Sequence, residues 1–218
     1  MDKGKANYYP VCLNLKDKPC LVVGAGKVAG RKVRSLLEAG ARVTVVSPEA
    51  GKEIEQAARE GSIVWKKKSF SDSDLEGNFL VVGATDDREL NRRIFSLSDS
   101  AGVLVNVVDE PELCNFIVPA VLRRGDFQIA VSSGGASPVL ARAVRDELER
   151  QFSNIYGEIA ERMSALRLWL KERLPDEKKR RQFWEEFVDL DFFESLEGGD
   201  IEAKFKERIV QCLSRLED

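Results

Sequence analysis

The sequence predicts an α/β fold, a doubly wound parallel sheet followed by a largely helical C-terminal part. Three observations carry this. The first half alternates short β-branched runs with helix-length stretches, the pattern of a parallel sheet covered on both faces. A glycine cluster, Gly24-Ala25-Gly26, separates the first core strand from the first helix. Beyond about residue 115 helical periodicity takes over.

Taken in order, Pro10–Leu15 reads as an edge strand joined to the core by Lys16-Asp17-Lys18. The core strands are then Cys20–Val23, Arg42–Val46, Ile63–Trp65, Leu80–Gly83, Val103–Val107 and Ile117–Val118. Helices are expected at Val28–Ala39, Glu49–Glu60 and Arg88–Ala101. Phe127–Ser132 reads as a further strand. Ser137 then fits an N-cap and Pro138 the first position of a long helix. Ile155, Ile159, Met163, Leu166, Leu170 and Leu174 recur at spacings of three and four, one apolar face of a helix that Pro175 stops; it reads as part of a helical domain that partly serves a dimer interface, the plain alternative being an ordinary buried face. Gly198-Gly199 sets off a last amphipathic segment, Ile201–Leu216.

Composition narrows the function classes. The net charge of −3 supplies no bulk basic field, so nucleic acid is not an expected partner. The longest apolar runs, such as Phe79-Leu80-Val81-Val82, are strand length and too short for a membrane span. Met1-Asp2-Lys3-Gly4-Lys5 lacks the apolar core of a secretion signal, and a cytoplasmic location is expected. Cys12, Cys20, Cys114 and Cys212 are scattered, with no Cys-x-x-Cys pair, which points to neither a disulfide framework nor a metal site. The chain contains no histidine, which removes Ser-His-Asp chemistry and imidazole catalysis; a general base must come from Asp, Glu, Lys, Tyr or Cys.

Gly24-Ala25-Gly26-Lys27-Val28-Ala29 follows a strand and opens a helix, the order a Rossmann-like dinucleotide site needs. The first glycine permits the turn, the second lets the backbone approach a pyrophosphate, and Ala29 is small enough for close packing on the sheet. About twenty residues on, where a carboxylate usually binds the adenosine ribose, stand Ser47 and Pro48, with Glu49 slightly late. A hydroxyl there discriminates weakly between NAD and NADP. Gly83, Ala84 and Thr85 end the fourth strand and leave room for a ribose–nicotinamide; Thr85 or Asp86 also suits a cap for the next helix, and the two roles are compatible. Asn106 and Asp109 end the fifth strand on the same side of the sheet. Asp109 is the best available proton acceptor, its pKa raised if partly desolvated beside a nicotinamide; the plain alternative is a turn aspartate before Pro111. Ser133, Gly134, Gly135 and Ser137 form a small-residue helix start suited to a nest of N–H donors for an anion. Arg142 and Arg145 follow, and Arg123 and Arg124 precede it; together they suit a carboxylated substrate, or are solvated arginines around a capped helix.

The combination of Tyr9-Pro10-Val11, Val23 to Lys32, Asn106-Val107-Val108-Asp109, Phe116 to Ala120 and Ser132 to Arg142 resembles the precorrin-2 dehydrogenases, including the dehydrogenase/ferrochelatase half of siroheme synthase. The resemblance is close over residues 8–150. It implies NAD-dependent oxidation of precorrin-2 to sirohydrochlorin, with Fe²⁺ insertion in some members, by a homodimer. It also implies three parts: an NAD-binding Rossmann domain (1–114), a small α+β dimerisation region (115–149) and a helical domain (150–218). Carried over by position, the essential aspartate is Asp109 and the conspicuous serine is Ser133. The cofactor contacts are Gly24, Ala25, Gly26, Lys27, Val28, Ser47, Pro48, Gly83, Ala84 and Thr85. Asn106, Ser133, Gly134, Gly135, Ser137 and Arg142 are the candidate substrate contacts, toward a tetrapyrrole rich in carboxylates. No methyltransferase portion follows, so methylation is expected on another protein. Two rival readings are a non-catalytic NAD-sensing module and an oxidoreductase for a smaller carboxylated substrate.

Overall fold

The computed structural model describes residues 7–216. Residues 1–5, whose polarity bears on secretion, lie outside the described residues. The chain divides into a first unit that closes at Val118 and a second that opens at Pro119.

The first unit is a five-stranded, all-parallel sheet in the order β3-β2-β1-β4-β5. Its strands are β1 (Pro19–Val23), β2 (Arg42–Val46), β3 (Val64–Lys66), β4 (Leu80–Gly83) and β5 (Leu104–Val107), and its helices are α1 (Lys27–Glu38), α2 (Lys52–Arg59) and α3 (Arg88–Ser100). The order reverses between β1 and β4, the switch point at which doubly wound sheets bind ligands. Alternation along the strands divides the core into two layers. Cys20, Val22, Val43, Val45, Leu80 and Val82 pack with Ala29 and Val33 of α1 and Ile54 of α2. Leu21, Val23, Val46, Val81, Val105 and Val107 pack with Ile94 of α3. Both faces being covered explains why the strands read as nearly continuous apolar runs. Below the sheet's edge, Asp74 is buried and accepts from Lys66 (3.1 Å), Lys68 (2.5 Å) and the Ser71 backbone (3.0 Å).

Three expected elements differ. Pro10–Leu15 is not a strand; Tyr9, Val11 and Leu13 are exposed and only Leu15 is buried, so no continuous face anchors the segment to the sheet. Ile117–Val118 is not a strand either. The sixth strand, β6 (Ala120–Arg124), begins after Pro119, which cannot donate to a ladder. Helix α2 starts at Lys52 rather than Glu49, because Gly51 is the N-cap and its N–H goes to the Ala25 carbonyl at 3.0 Å.

In the second unit, β6 and β7 (Phe127–Val131) form an antiparallel hairpin across Gly125, whose φ is +54°. Helix α4 (Pro138–Gln151) follows, then α5 (Ile155–Arg173), α6 (Glu177–Phe187), α7 (Leu190–Ser195) and α8 (Ile201–Ser214). The expected face of α5 is the one that packs: Ile155, Ile159, Leu166 and Leu170 are buried with Phe183, Phe187, Phe205 and Cys212. Helix α5 approaches the hairpin turn closely, and a Cβ on Gly157 would stand 2.9 Å from the Arg124 carbonyl oxygen. Among the described residues no helix is long and apolar enough to cross a membrane.

Candidate functional site

Four neighbouring strands end in register. Val46, Val23, Gly83 and Val107 form one row across the sheet, so the chain leaves β2, β1, β4 and β5 at the same level. Backbone bonds carry that row one residue further: Gly24 N–H donates to the Val46 carbonyl at 3.0 Å, Ala84 N–H to Val23 at 2.8 Å and Val108 N–H to Gly83 at 2.9 Å. The register therefore brings Gly24, Ser47, Ala84 and Val108 together, with Asp109 one position beyond.

Gly24 is required twice over. Its φ is +103°, and a Cβ there would run into the Ala84 carbonyl, 2.8 Å from its carbon. At Gly26, by contrast, the fold itself leaves room for a side chain. Gly26 is the N-cap of α1, has no side-chain cap, and a Cβ built on it would meet nothing within 4 Å. The start of α1 thus has no side-chain cap and open space beside Gly26, which is what a pyrophosphate needs and what a side chain would fill. Lys27 is exposed, Val28 half-buried and Ala25 buried. Ser47 is half-buried with its carbonyl held by the Trp65 indole N–H at 3.0 Å, and Pro48 is exposed. These residues fit a bound dinucleotide by position and by the space left for it.

The loop after β4 resolves the capping question against both expected residues. Asp87 is the N-cap of α3 and accepts from the Glu89 and Leu90 amides, each at 3.0 Å. Thr85 instead sits in a hydrogen-bonded turn, accepting from Asp87 N–H at 3.2 Å and donating toward Asn91 Oδ1 at 3.0 Å.

Asp109 occupies the left-handed region at φ +62°, where a non-glycine residue is uncommon and aspartate is among the tolerated types. Its side chain is exposed, so the chain around it does not supply the partial desolvation expected from sequence. Asn106 also departs from expectation. It is buried, and its amide nitrogen is committed to the Phe116 carbonyl (3.1 Å) and Cys114 Sγ (3.4 Å), which makes it a brace for the β5 loop rather than a free donor. The Cys114 thiol takes part in the same brace, accepting from Val107 N–H at 3.3 Å; burial pushes its pKa up and keeps it protonated. Sequence reasoning assigns no role to Lys32 on α1. It is half-buried, burial pulls its ammonium down, Arg31 adds to that, and the opposing influences come from Cys114 and Asp109. Nothing in a one-dimensional pattern distinguishes this lysine from the other cations of α1.

In the second unit, the loop before α4 differs from the expected anion nest. Gly134 (φ +61°) and Gly135 (φ +80°) turn the chain back on itself. Ser133 Oγ then accepts from Ser137 N–H at 2.8 Å and donates to the Ser137 carbonyl at 3.0 Å. Gly134 N–H goes to Ser132 Oγ at 3.1 Å, Ala136 N–H to the Ser133 carbonyl at 3.2 Å, and Ser137 caps Leu140 N–H at 3.1 Å. Most of the loop's donors are satisfied internally. The arginines divide likewise: Arg124 pairs with Glu149 and Arg145 with Asp146, while Arg142 is exposed and without an ion-pair partner among the described residues.

The chain matches three family descriptions in succession: "Putative NAD(P)-binding" over residues 11–120, half of the chain; "Sirohaem biosynthesis protein central" over 124–151; and "Sirohaem synthase dimerisation region" over 155–207. The word dimerisation thus falls on the helical stretch, whereas the sequence resemblance attaches it to 115–149. Among curated relatives, the siroheme synthase of Thioalkalivibrio sulfidiphilus is 45% identical over 84% of this chain and 37% of its own length. That of Nitrosococcus oceani is 40% identical over 89% of this chain and 42% of its own. The chain therefore spans well under half the length of these relatives. Among solved structures, "SirC, precorrin-2 dehydrogenase" superposes with a TM-score of 0.75 at 26% identity, covering 95% of this chain and 100% of the other.

Proposed function

Because the chain belongs to the precorrin-2 dehydrogenase family, the family of the NAD(P)-binding part of siroheme synthases, we propose that it oxidises precorrin-2 to sirohydrochlorin with NAD⁺. The observation that carries the reading is the position of Asp109, one residue past the in-register row of strand ends that also carries the glycine loop. A carboxylate there stands on the side of the sheet where the dinucleotide binds. The length-for-length likeness to SirC supports the same reading.

Bound NAD⁺ supplies a hydride acceptor. The chain's own part is to hold the pyrophosphate at the uncapped start of α1, to present Asp109 as proton acceptor, and to seat the substrate. With NAD⁺ bound, the substrate would give up a hydride and a proton, and the Asp109 carboxylate would take the proton. Lys32 is a half-buried cation near the site, and Asp109 is one of the two groups that oppose the lowering of its ammonium by burial. Arg142 and the Ser133–Ser137 loop are the candidates in the second unit for holding substrate carboxylates, Arg142 by a free guanidinium and the loop by its fixed shape. A homodimer and a cytoplasmic location belong to the same reading. The dimer is supported by the match over 155–207. The three-part division, with the Rossmann domain ending near residue 114, is part of the same proposal.

The test is direct. Purified protein with precorrin-2 and NAD⁺ is expected to yield NADH and the absorption spectrum of sirohydrochlorin in equal amounts. Binding of NAD⁺ without turnover would favour a sensing module. Oxidation of a smaller carboxylated compound, with the tetrapyrrole unbound, would favour the other rival. Adding Fe²⁺ after turnover asks whether the chain also makes siroheme.

A further inference from the structure

Asn91 takes no part in the chemistry above, yet it is one of the few polar side chains buried in the first unit, at 3% exposure. It lies at the start of α3, and its amide is fully engaged. The nitrogen donates to the Thr85 carbonyl and to Glu110 Oε1, each at 3.1 Å, and Oδ1 accepts from the Thr85 hydroxyl at 3.0 Å. Thr85 belongs to the loop after β4, on the cofactor side. Glu110 follows Asp109 directly in the loop after β5. One side chain thus ties together the two loops that flank the site.

The surroundings admit the amide closely. A Cβ on Gly83 would stand 3.4 Å from Asn91 Oδ1 and 3.2 Å from Val107 Cγ2, so a larger residue at that strand end would press on both. A leucine at position 91 would fill a similar volume and keep α3 on the sheet. It would leave the Thr85 and Glu110 groups without the shared partner that sets their separation. An amide at this position is explained by the need to hold both loops in one relative position.

We infer that Asn91 is a positioning residue that couples the Thr85 loop to the Asp109 turn, so that NAD⁺ bound against the first also steadies the second. The kinetic consequence rests on the dehydrogenase reading; the structural one needs only NAD⁺ binding.

Backbone amide hydrogen exchange with and without NAD⁺ tests it. In the unaltered protein NAD⁺ slows exchange in both the 84–87 and the 107–113 segments. In Asn91→Leu, and independently in Glu110→Ala should the first variant fold poorly, it slows exchange only in the first segment. Glu110→Gln, which keeps an acceptor for the amide, restores the response in the second. With precorrin-2, Asn91→Leu and Glu110→Ala lower kcat about tenfold with KM for NAD⁺ changed by less than about twofold, and Glu110→Gln stays near the unaltered rate. Equal protection of 107–113 in all these proteins, or its absence from the unaltered one, overturns the coupling. A normal exchange pattern in a protein that does not oxidise precorrin-2 overturns the proposed function and leaves the coupling standing.

Discussion

Each unit carries a pair of glycines just before a helix. Gly24 and Gly26 precede α1, and Gly134 and Gly135 precede α4. In the first loop the helix start has no side-chain cap and the space at Gly26 is open. In the second, the Ser132, Ser133 and Ser137 hydroxyls accept the Gly134, Ser137 and Leu140 amides, and the Ser133 carbonyl accepts that of Ala136. The same local signal thus yields an uncapped helix start beside open space in one place and a largely self-bonded turn in the other. What separates them is the hydroxyl content of the loop: three serines provide internal acceptors, while alanine and lysine provide none. Glycine at a helix start therefore indicates an anion site only where no neighbouring side chain can take the amides.

Several substitutions would break or sharpen this contrast. The largest expected effect lies beside the open loop. Asp109→Asn lowers the rate of precorrin-2 oxidation by about 10²–10⁴, as for loss of a general base. NAD⁺ affinity, read by calorimetry, stays within about twofold. Gly26→Asp places a side chain and a negative charge in the open space, and its affinity for NAD⁺ falls by about 100-fold or more, equivalent to about 2.7 kcal/mol. Retained affinity in that variant would mean the cradle is elsewhere.

A third prediction concerns stability in the same unit. Burial raises the Asp74 carboxyl, but hydrogen bonds from Lys68, Ser71 and Lys66 outweigh it and hold the group well below the usual carboxylate range. A depressed native pKa contributes stability that is fully present above the unfolded-state value, near 4, and is lost as pH falls from there toward the native value. Asp74→Asn is expected to cost about 2 kcal/mol at neutral pH, by urea unfolding, with the deficit shrinking below about pH 4. The smallest effect belongs to the closed loop. Ser133→Ala removes an acceptor for Ser137 N–H and costs about 1 kcal/mol, leaving NAD⁺ affinity unchanged. A NAD⁺ affinity that fell with Ser133 would erase the contrast between the loops.

Much of the first unit is legible in the amino-acid sequence, because its parallel strands are buried on both faces and announce themselves as apolar runs at Leu21–Val23, Val43–Val46 and Leu80–Val82. The face of α5 is legible for a related reason: a helix packed on one side repeats its apolar residues every three or four positions. Pro10–Leu15 reads as a strand and is not one, because alternation of apolar and polar residues records only what a strand would bury, not whether a neighbour is there to pair with it. The same limit applies to Asn106. Its place at a strand end is visible, but its amide is committed to Phe116 and Cys114, which lie ten and eight residues further along.

Local chemistry alone therefore determined the succession of strands and helices along the chain, the glycine turn at Gly24–Gly26 and the candidacy of Asp109, since each depends on residues adjacent in the chain. Tertiary structure decided which amides are free, which polar side chains support others and which face solvent. Those properties depend on partners such as Asn91 and Glu110, nineteen residues apart, whose meeting follows from the sheet's strand order and register.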